Sequence, residues 1–291
     1  IPMDLILHLG LHKTASTSFQ SICSQNRQTL EKYNIYYPHS PDEHVSHNAL
    51  ATLDWTGSRK LEDSVSEIVK QAPLSTKKII LSSERLQGIL VDPQLRSNVL
   101  DAVRGQGFRK INFVIVYREA LQYFESLYAE LGKIGHTTSR FEMANKIIET
   151  GCYSYVNKNY HWRFSFQPIP AAKKLRETRV GTVSLIPFQQ FLKPFPGSIV
   201  FDNQRLIDDL QNVIKQKETI FQINKRLSGR AVEFLYICNF LGINPSQASY
   251  KKQKNLFDTL IDERLRSKAQ FYQSENLLHR IRKLYGKPPH L

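Results

Sequence analysis

The chain has 291 residues, 41% of them apolar and 11% aromatic, and this composition is enough to bury a core. The sequence contains no apolar run of the length that a membrane-spanning helix needs, and it opens with no recognisable signal peptide. The net charge of +14 is spread along the sequence, which favours a groove or pocket for a polyanion over a disordered basic tail. Three scattered cysteines argue against a disulfide framework and against a zinc site. We therefore expect a cytoplasmic protein with reduced thiols, and leave open whether an N-terminal targeting segment has been removed.

Strands and helices alternate along the first part of the chain. The hydrophobic periodicity predicts, in order, a strand at 4–10, helices at 17–33 and 59–71, a strand at 77–83, a helix at 93–105, a strand at 110–118, a helix at 120–132 and a strand at 178–188. This alternation is typical of a parallel α/β sheet of the P-loop type, flanked by helices and joined by right-handed crossovers.

The last hundred residues are predicted to be mainly helical, with helices at 203–217, 228–241 and 255–285. No internal repeat and no convincing linker interrupts the sequence. We therefore expect one domain over 1–291, with a core sheet at about 4–190 and a helical C-terminal part at about 200–291.

Polar segments follow each of the four predicted strands. They are the loop "LHKTASTS" after the first strand, "SSERL" after the second, "YREALQYFES" at the end of the third and "PFQQF" at the end of the fourth. Ligands of open parallel sheets bind outside the carboxyl ends of the strands. The four segments are therefore predicted to surround one site.

The first of these loops has the features of an anion cradle. Lys13 supplies a positive charge, and hydroxyl groups follow at Thr14, Ser16, Thr17 and Ser18, where a helix begins. Backbone N–H groups at a helix N-terminus bind phosphate or sulfate, whereas a simple helix cap would need only one hydroxyl. The loop lacks the second glycine of the pattern G-x-x-x-x-G-K-[ST], so it is not a standard triphosphatase loop.

The end of the third strand offers a second anion site. Arg118 closes the strand, and Ser126 follows eight residues later. If a helix begins near residue 119 or 120, Ser126 lies in its second turn and can share an anion with Arg118. Alone, the pair is a weak signal, because an arginine at a strand end is commonly a solvated charge.

Together the two segments resemble the signatures of the sulfotransferase family. "HKTASTS" is similar to that family's phosphosulfate loop, and "VYREALQYFESLY" is similar to its strand ending in Arg with Ser eight residues on. "NRQTLEKYNIYYP", "HNALA", "LSSERL" and "NKRLSGRAVEFLYICNFLGI" also look like stretches of bacterial members, so the resemblance covers most of the chain.

The resemblance implies an enzyme that takes a sulfuryl group from 3′-phosphoadenosine 5′-phosphosulfate (PAPS) and releases 3′-phosphoadenosine 5′-phosphate (PAP), with no metal. It implies that residues 13–18 bind the 5′-phosphosulfate, and that Arg118 and Ser126 bind the 3′-phosphate. One departure is Ala15, which stands where the family usually has Gly. Alanine does not take a positive φ cheaply, although the neighbouring hydroxyl residues are kept.

Three residues are candidates for the chemical step. Lys13 suits the developing charge on the leaving oxygen. Glu84 is the first candidate for the general base, because the family often places its catalytic His or acid there, and a salt bridge is the alternative role for this side chain. His47, in a long loop beside the predicted acceptor site, is the second candidate. His12 is interpreted as a residue that shapes the loop, and Phe188 as either core or an adenine contact.

The acceptor is less well defined by the sequence. Aromatic and histidine side chains crowd two segments predicted to be loops, at 36–55 and 153–163, and such side chains suit sugar rings or flat phenols. We expect a hydroxyl of a carbohydrate or glycolipid, with the basic charge favouring an acidic saccharide, and no nucleic acid. Two alternatives stay open: a P-loop kinase or nucleoside-triphosphate hydrolase, and a non-enzymatic polyanion-binding module.

Overall fold

The computed structural model describes most of the chain. The described residues are 2–40, 45–53, 58–157, 161–216, 227–240, 242, 254–273, 279–280 and 283. They form two compact units: the first comprises Ile1–Arg118 and Ser154–Ile223, and the second Glu119–Tyr153 and Asn224–Leu291. The single domain over 1–291 stays a prediction, because compactness alone does not measure independent folding.

The first unit contains a five-stranded parallel sheet. Its strands are β1 (Asp4–Gly10), β2 (Ile35–Tyr36), β3 (Lys78–Ser82), β4 (Lys110–Tyr117) and β7 (Thr182–Pro187), in the order β2-β3-β1-β4-β7. β1, β3 and β4 are almost continuously apolar, as strands buried on both faces should be. The predicted α/β class, parallel sheet and flanking helices are confirmed.

Helices of the first unit cover the sheet. They are α1 (Ser16–Gln25), α2 (Arg27–Lys32), α3 (Asn48–Leu53), α4 (Ser58–Gln71), α5 (Pro93–Arg104), α8 (Pro168–Glu177), α9 (Phe188–Phe191) and α10 (Gln204–Gln216). One core cluster joins Ile6, Ile80 and Val114 of the sheet to Phe19 of α1 and Leu206 of α10. The buried face of α1 therefore fixes the position of the loop that precedes it.

The helix predicted at 17–33 is in fact two helices. Asn26 separates α1 from α2, with a φ of −121°, and its side-chain amide donates to the carbonyl oxygen of Ile22 at 2.8 Å. An asparagine side chain that bonds to nearby backbone competes with the helical pattern, so the helix stops there.

The sequence predicted that the aromatic segment at 153–163 is a loop, whereas the structure has two strands in this part of the chain. β5 (Cys152–Val156) and β6 (His161–Ser165) form a two-stranded sheet. Tyr, Trp, Phe and Val favour strands, and this preference accounts for the two strands in a segment that the sequence predicted to be a loop.

The second unit is helical. It contains α6 (Ala120–Lys133), α7 (Arg140–Thr150), α11 (Gly229–Phe240) and α12 (Lys254–Gln273). α7 was not predicted, whereas α6, α11 and the first part of the helix expected at 255–285 are present; most of 274–285 lies outside the described residues. Among the helices described, none is both long and apolar enough to cross a membrane.

Candidate functional site

The carboxyl ends of four strands meet at one edge of the sheet. In the strand register His8 of β1 lies opposite Ser82 of β3, Gly10 lies opposite Val116 of β4, and Tyr117 of β4 lies opposite Pro187 of β7. The loop after β1, the segment after β3, Arg118 and Phe188 therefore begin at the same edge, as the sequence predicted.

Two residues of the loop between β1 and α1 have a positive φ, in the left-handed region. Lys13 has a φ of 67° and Ala15 a φ of 62°, so the alanine adopts the conformation that glycine would take at lower cost. Gly10 is required for a different reason: a Cβ at this position would lie 1.9 Å from Oγ of Ser16 and 2.9 Å from Cε1 of His8. The close approach of Gly10 and Ser16 brings the start of α1 against the end of β1.

The hydroxyl residues of the loop fall into two groups. Thr14 and Ser16 are buried, and the Thr14 hydroxyl donates to the carbonyl oxygen of Leu11 at 2.5 Å, which closes the turn. Thr17 is exposed and Ser18 is half-buried. No side chain caps the N-terminus of α1, so its first N–H groups and the outer hydroxyls can face an anion. Thr14 would then contribute through its backbone, because its hydroxyl proton is used inside the loop.

Arg118 lies against this loop. Its Nη1 donates to the carbonyl oxygen of Lys13 at 3.3 Å, and its guanidinium lies 4.8 Å from the ring centre of Phe188. Phe188 is half-buried. The contact with Lys13 joins the two sequence signatures, and the cation–π contact holds the guanidinium over an aromatic face.

Ser126 belongs to the second unit. α6 begins at Ala120, as the sequence predicted, so Ser126 lies in the second turn of that helix, where it is half-buried. Arg118, by contrast, ends the stretch Ile1–Arg118, which belongs to the first unit. The shared phosphate site of Arg118 and Ser126 stays a prediction.

Glu84 follows β3 and lies beside His12. The His12 Nδ1 and the Glu84 Oε2 are 3.4 Å apart, and their side chains are only 13% and 18% exposed. The His12 ring also contacts Trp162 and Phe164 of β6, with centroids at 5.2 Å and 5.1 Å. The structure thus places a histidine–carboxylate pair and an aromatic side chain next to Lys13. The sequence interpretation assigned His12 only a role in loop shape, although its position beside Lys13 was a signal.

His47 is buried and hydrogen-bonded to the backbone, and its role as the second candidate for the general base stays a prediction. Its side chain is 1% exposed; Nδ1 accepts the backbone N–H of Ser82 at 3.0 Å, and Nε2 lies 3.1 Å from the carbonyl oxygen of Pro38. A ring nitrogen that accepts an N–H carries no proton, so Nε2 bears it and donates to Pro38. The Nδ1 lone pair is therefore engaged by the backbone N–H of Ser82, at the end of β3.

A second buried histidine, His8, belongs to a hydrogen-bond network beside the loop. His8 is fully buried; its Nδ1 lies 2.7 Å from Oγ of Ser82, which also accepts from Nε2 of Gln20 at 3.1 Å. Burial lowers the pKa of the His8 imidazole from 6.5 to about 3, so the ring stays neutral. The network ties β1, β3 and α1 together under the anion loop.

The comparisons with known proteins give only distant likenesses. No family model matches the chain, and no curated protein sequence matches it. Among solved structures, a sulfotransferase from Alicyclobacillus acidocaldarius is 15% identical, with 96% of each chain covered and a TM-score of 0.40. A structure from the PezAT chromosomal toxin–antitoxin system of Streptococcus pneumoniae is 11% identical, with 76% of this chain and 87% of that chain covered and a TM-score of 0.27. Both likenesses are too weak to support an argument about this chain.

Proposed function

We propose that the protein is a sulfotransferase that moves a sulfuryl group from PAPS to an acceptor hydroxyl. The observation that carries this proposal is the contact between Arg118 and the Lys13 carbonyl, because it joins two segments that are far apart in sequence and that we propose to bind anions. PAPS has phosphate groups on both the 3′ and the 5′ side of its ribose, so its binding needs two positively charged positions.

The loop after β1 fits the phosphosulfate end of this substrate. The left-handed turns at Lys13 and Ala15 precede a helix N-terminus with no side-chain cap, and such backbone N–H groups bind oxyanions together with the helix dipole. Arg118, half-buried over Phe188, offers a planar guanidinium for the 3′-phosphate. Ser126 is proposed as the second ligand of that phosphate.

The reaction itself would need little from the protein beyond charge and one base. The acceptor oxygen forms a bond to sulfur as the bond from sulfur to the bridging phosphate oxygen breaks. Lys13 would stabilise the negative charge on that leaving oxygen. Glu84, with its Oε2 3.4 Å from Nδ1 of His12, would take the acceptor proton, since both side chains lie beside the loop and are mostly shielded from water.

The acceptor is proposed to be a hydroxyl of a carbohydrate or glycolipid. Trp162 lies 5.2 Å from the His12 ring, so an aromatic face is next to the proposed base, and sugar rings commonly pack on such faces. The net charge of +14 favours an acidic saccharide. A cytoplasmic location also stays a prediction.

The first test is calorimetric titration with PAP. Removing a charged hydrogen-bond donor costs about 1.5–3 kcal/mol, so Lys13→Ala and Arg118→Ala should each weaken binding by about 10- to 100-fold. The exposed Lys173 on α8 gives a matched control, because Lys173→Ala removes one positive charge from the same unit and should leave binding unchanged. A folded wild-type protein that does not bind PAP at millimolar concentration would refute the proposal.

The second test is transfer of radiolabelled sulfate from PAPS to a panel of saccharide and phenol acceptors. Glu84→Gln should lower the turnover rate strongly while leaving PAP affinity unchanged, and His12→Gln should shift the pH profile. Full turnover by Glu84→Gln would show that the base is another group. Mg²⁺-dependent hydrolysis of ATP without sulfuryl transfer would favour the kinase or hydrolase alternative.

A further inference from the structure

Glu84, the proposed general base, lies in a short segment between two regular elements. β3 ends at Ser82, and a 3₁₀-helix follows at Arg85–Leu90. A carboxylate can take the acceptor proton only when it lies within hydrogen-bond distance of the acceptor oxygen. An error of about 1 Å in the position of a reacting group can lower the rate on the order of 100-fold. The contacts that fix this segment therefore bear on the reaction.

One side-chain oxygen, Oδ1 of Asn48, binds the chain on both sides of Glu84. It accepts the Ser83 hydroxyl at 2.8 Å and, as a longer contact, the backbone N–H of Arg85 at 3.4 Å. Because the Arg85 N–H can only donate, the oxygen and not the amide nitrogen of Asn48 faces this segment. The Ser83 hydroxyl also accepts the backbone N–H of Leu86 at 3.3 Å, which extends the contact into the first turn of the 3₁₀-helix.

The residue before Asn48 is itself fixed to the sheet. The His47 N–H donates to the carbonyl oxygen of Ser82 at 2.8 Å, and Nδ1 of His47 accepts the N–H of Ser82 at 3.0 Å. The Ser83 N–H donates to the carbonyl oxygen of His8 at 3.1 Å, and so continues the pairing of β3 with β1. These four residues are at most 1% exposed. Asn48 is therefore held by a buried, hydrogen-bonded part of the fold.

We propose that Asn48 is a positioning residue for Glu84 in the sulfuryl transfer. The inference rests on the proposed function, with Glu84 as the base. By binding the residues before and after Glu84, Asn48 restricts rotation of the backbone between them. The His12 ring limits the carboxylate from its other end, because Nδ1 of His12 lies 3.4 Å from Oε2 of Glu84. The carboxylate is then presented to the acceptor hydroxyl in one orientation.

Asn48 itself would take no proton. The acceptor O–H would give its proton to the Glu84 carboxylate as the bond from oxygen to sulfur forms and the bond from sulfur to the bridging phosphate oxygen breaks. The contribution of Asn48 would therefore appear in the turnover rate and not in donor binding.

The test is the steady-state kinetics of sulfuryl transfer to an acceptor that the wild-type protein sulfates. Asn48→Ala should lower kcat about tenfold, while the dissociation constant of PAP stays within about twofold of the wild-type value. Ser83→Ala removes one of the two hydrogen bonds to Oδ1 and should lower kcat about threefold. Asn98→Ala is the matched control and should leave kcat unchanged, because Asn98 is half-buried on α5 of the same unit, where its Oδ1 accepts from Gln94 at 2.9 Å.

A double-mutant cycle shows whether Asn48 acts through Glu84. In the Glu84→Gln background the base is already absent, so Asn48→Ala should lower kcat by less than about twofold. A residue that only stabilises the fold would lower kcat by the same factor in both backgrounds. Each variant is assayed at a temperature at which circular dichroism shows that it is folded. If Asn48→Ala does not fold, Ser83→Ala enters the same cycle, with a threefold effect expected only when Glu84 is present.

The outcomes separate this inference from the proposed function. A wild-type protein that neither binds PAP nor transfers sulfate would refute the proposed function, and the inference would fall with it. Full turnover by Glu84→Gln would remove the base on which the inference rests. Turnover that depends on Glu84 but is the same in Asn48→Ala and the wild type, or that Asn48→Ala lowers equally in both backgrounds, would overturn the inference alone.

Discussion

Replacing Ala15 by glycine should make the protein more stable. Ala15 has φ 62° and ψ 22°, and it is half-buried between the Lys13 turn and the first turn of α1. A left-handed L-residue costs about 1–2 kcal/mol, because its Cβ crowds the following carbonyl group. Glycine avoids this cost, but loses about 0.5–1 kcal/mol more backbone entropy on folding than alanine does.

The difference between these two terms is about 0.7 kcal/mol in favour of Ala15→Gly. Because a domain of this size shifts its melting temperature by about 2–4 °C per kcal/mol, we expect an increase of about 2 °C. Thermal denaturation followed by circular dichroism, together with urea unfolding, measures both quantities.

Two matched substitutions control this measurement. Arg179 is exposed and has a φ of 57°, so Arg179→Gly should give a gain of the same size. Ala171 is buried within α8, where the same Ala→Gly exchange should destabilise by about 1–2 kcal/mol through helix propensity and the lost methyl group. If Ala15→Gly destabilises as much as Ala171→Gly, the left-handed conformation at residue 15 is wrong, and so is the loop geometry built on it.

Three other substitutions test the packing around both units. Gly10→Ala should destabilise by about 1–3 kcal/mol in urea unfolding, because its Cβ would lie 1.9 Å from Oγ of Ser16. Glu233→Gln removes a fully buried carboxylate from its two arginine partners and should lower the free energy of unfolding by about 3–5 kcal/mol. The control is Glu142→Gln: Glu142 is exposed and paired with Lys146, so this change should lower the free energy of unfolding by at most about 1 kcal/mol. Burial lowers the pKa of His8 to about 3, so the unfolded chain binds more protons than the folded chain between pH 6.5 and 3. His8 should therefore make stability fall in this range by up to about 1.4 kcal/mol per pH unit, and His8→Gln should remove this contribution while that of His136, whose pKa is lowered to about 4, remains.

Local patterns in the sequence determined the α/β class and the position of the loop after β1. The apolar runs of β1, β3 and β4 are recognisable because strands covered on both faces consist almost entirely of apolar residues. Parallel strands have their carboxyl ends at a common edge of the sheet, so the segments that follow them begin there. Lys13, the hydroxyl residues and Arg118 could be predicted as site residues because each follows a strand directly. The same local patterns missed α7 and the β5–β6 pair, where side-chain types that favour strands were read as ligand contacts.

Only the tertiary structure shows which groups surround the histidines. His12 and Glu84 are 72 positions apart, and no periodicity shows that their side chains lie 3.4 Å from each other. The sequence likewise does not show that Nδ1 of His47 accepts the backbone N–H of Ser82. The network of Arg140, Glu233 and Arg264 likewise depends on three helices from distant parts of the chain. The type of a residue determines which of its atoms can donate or accept a proton. The role of that residue depends on neighbours that only the folded chain supplies.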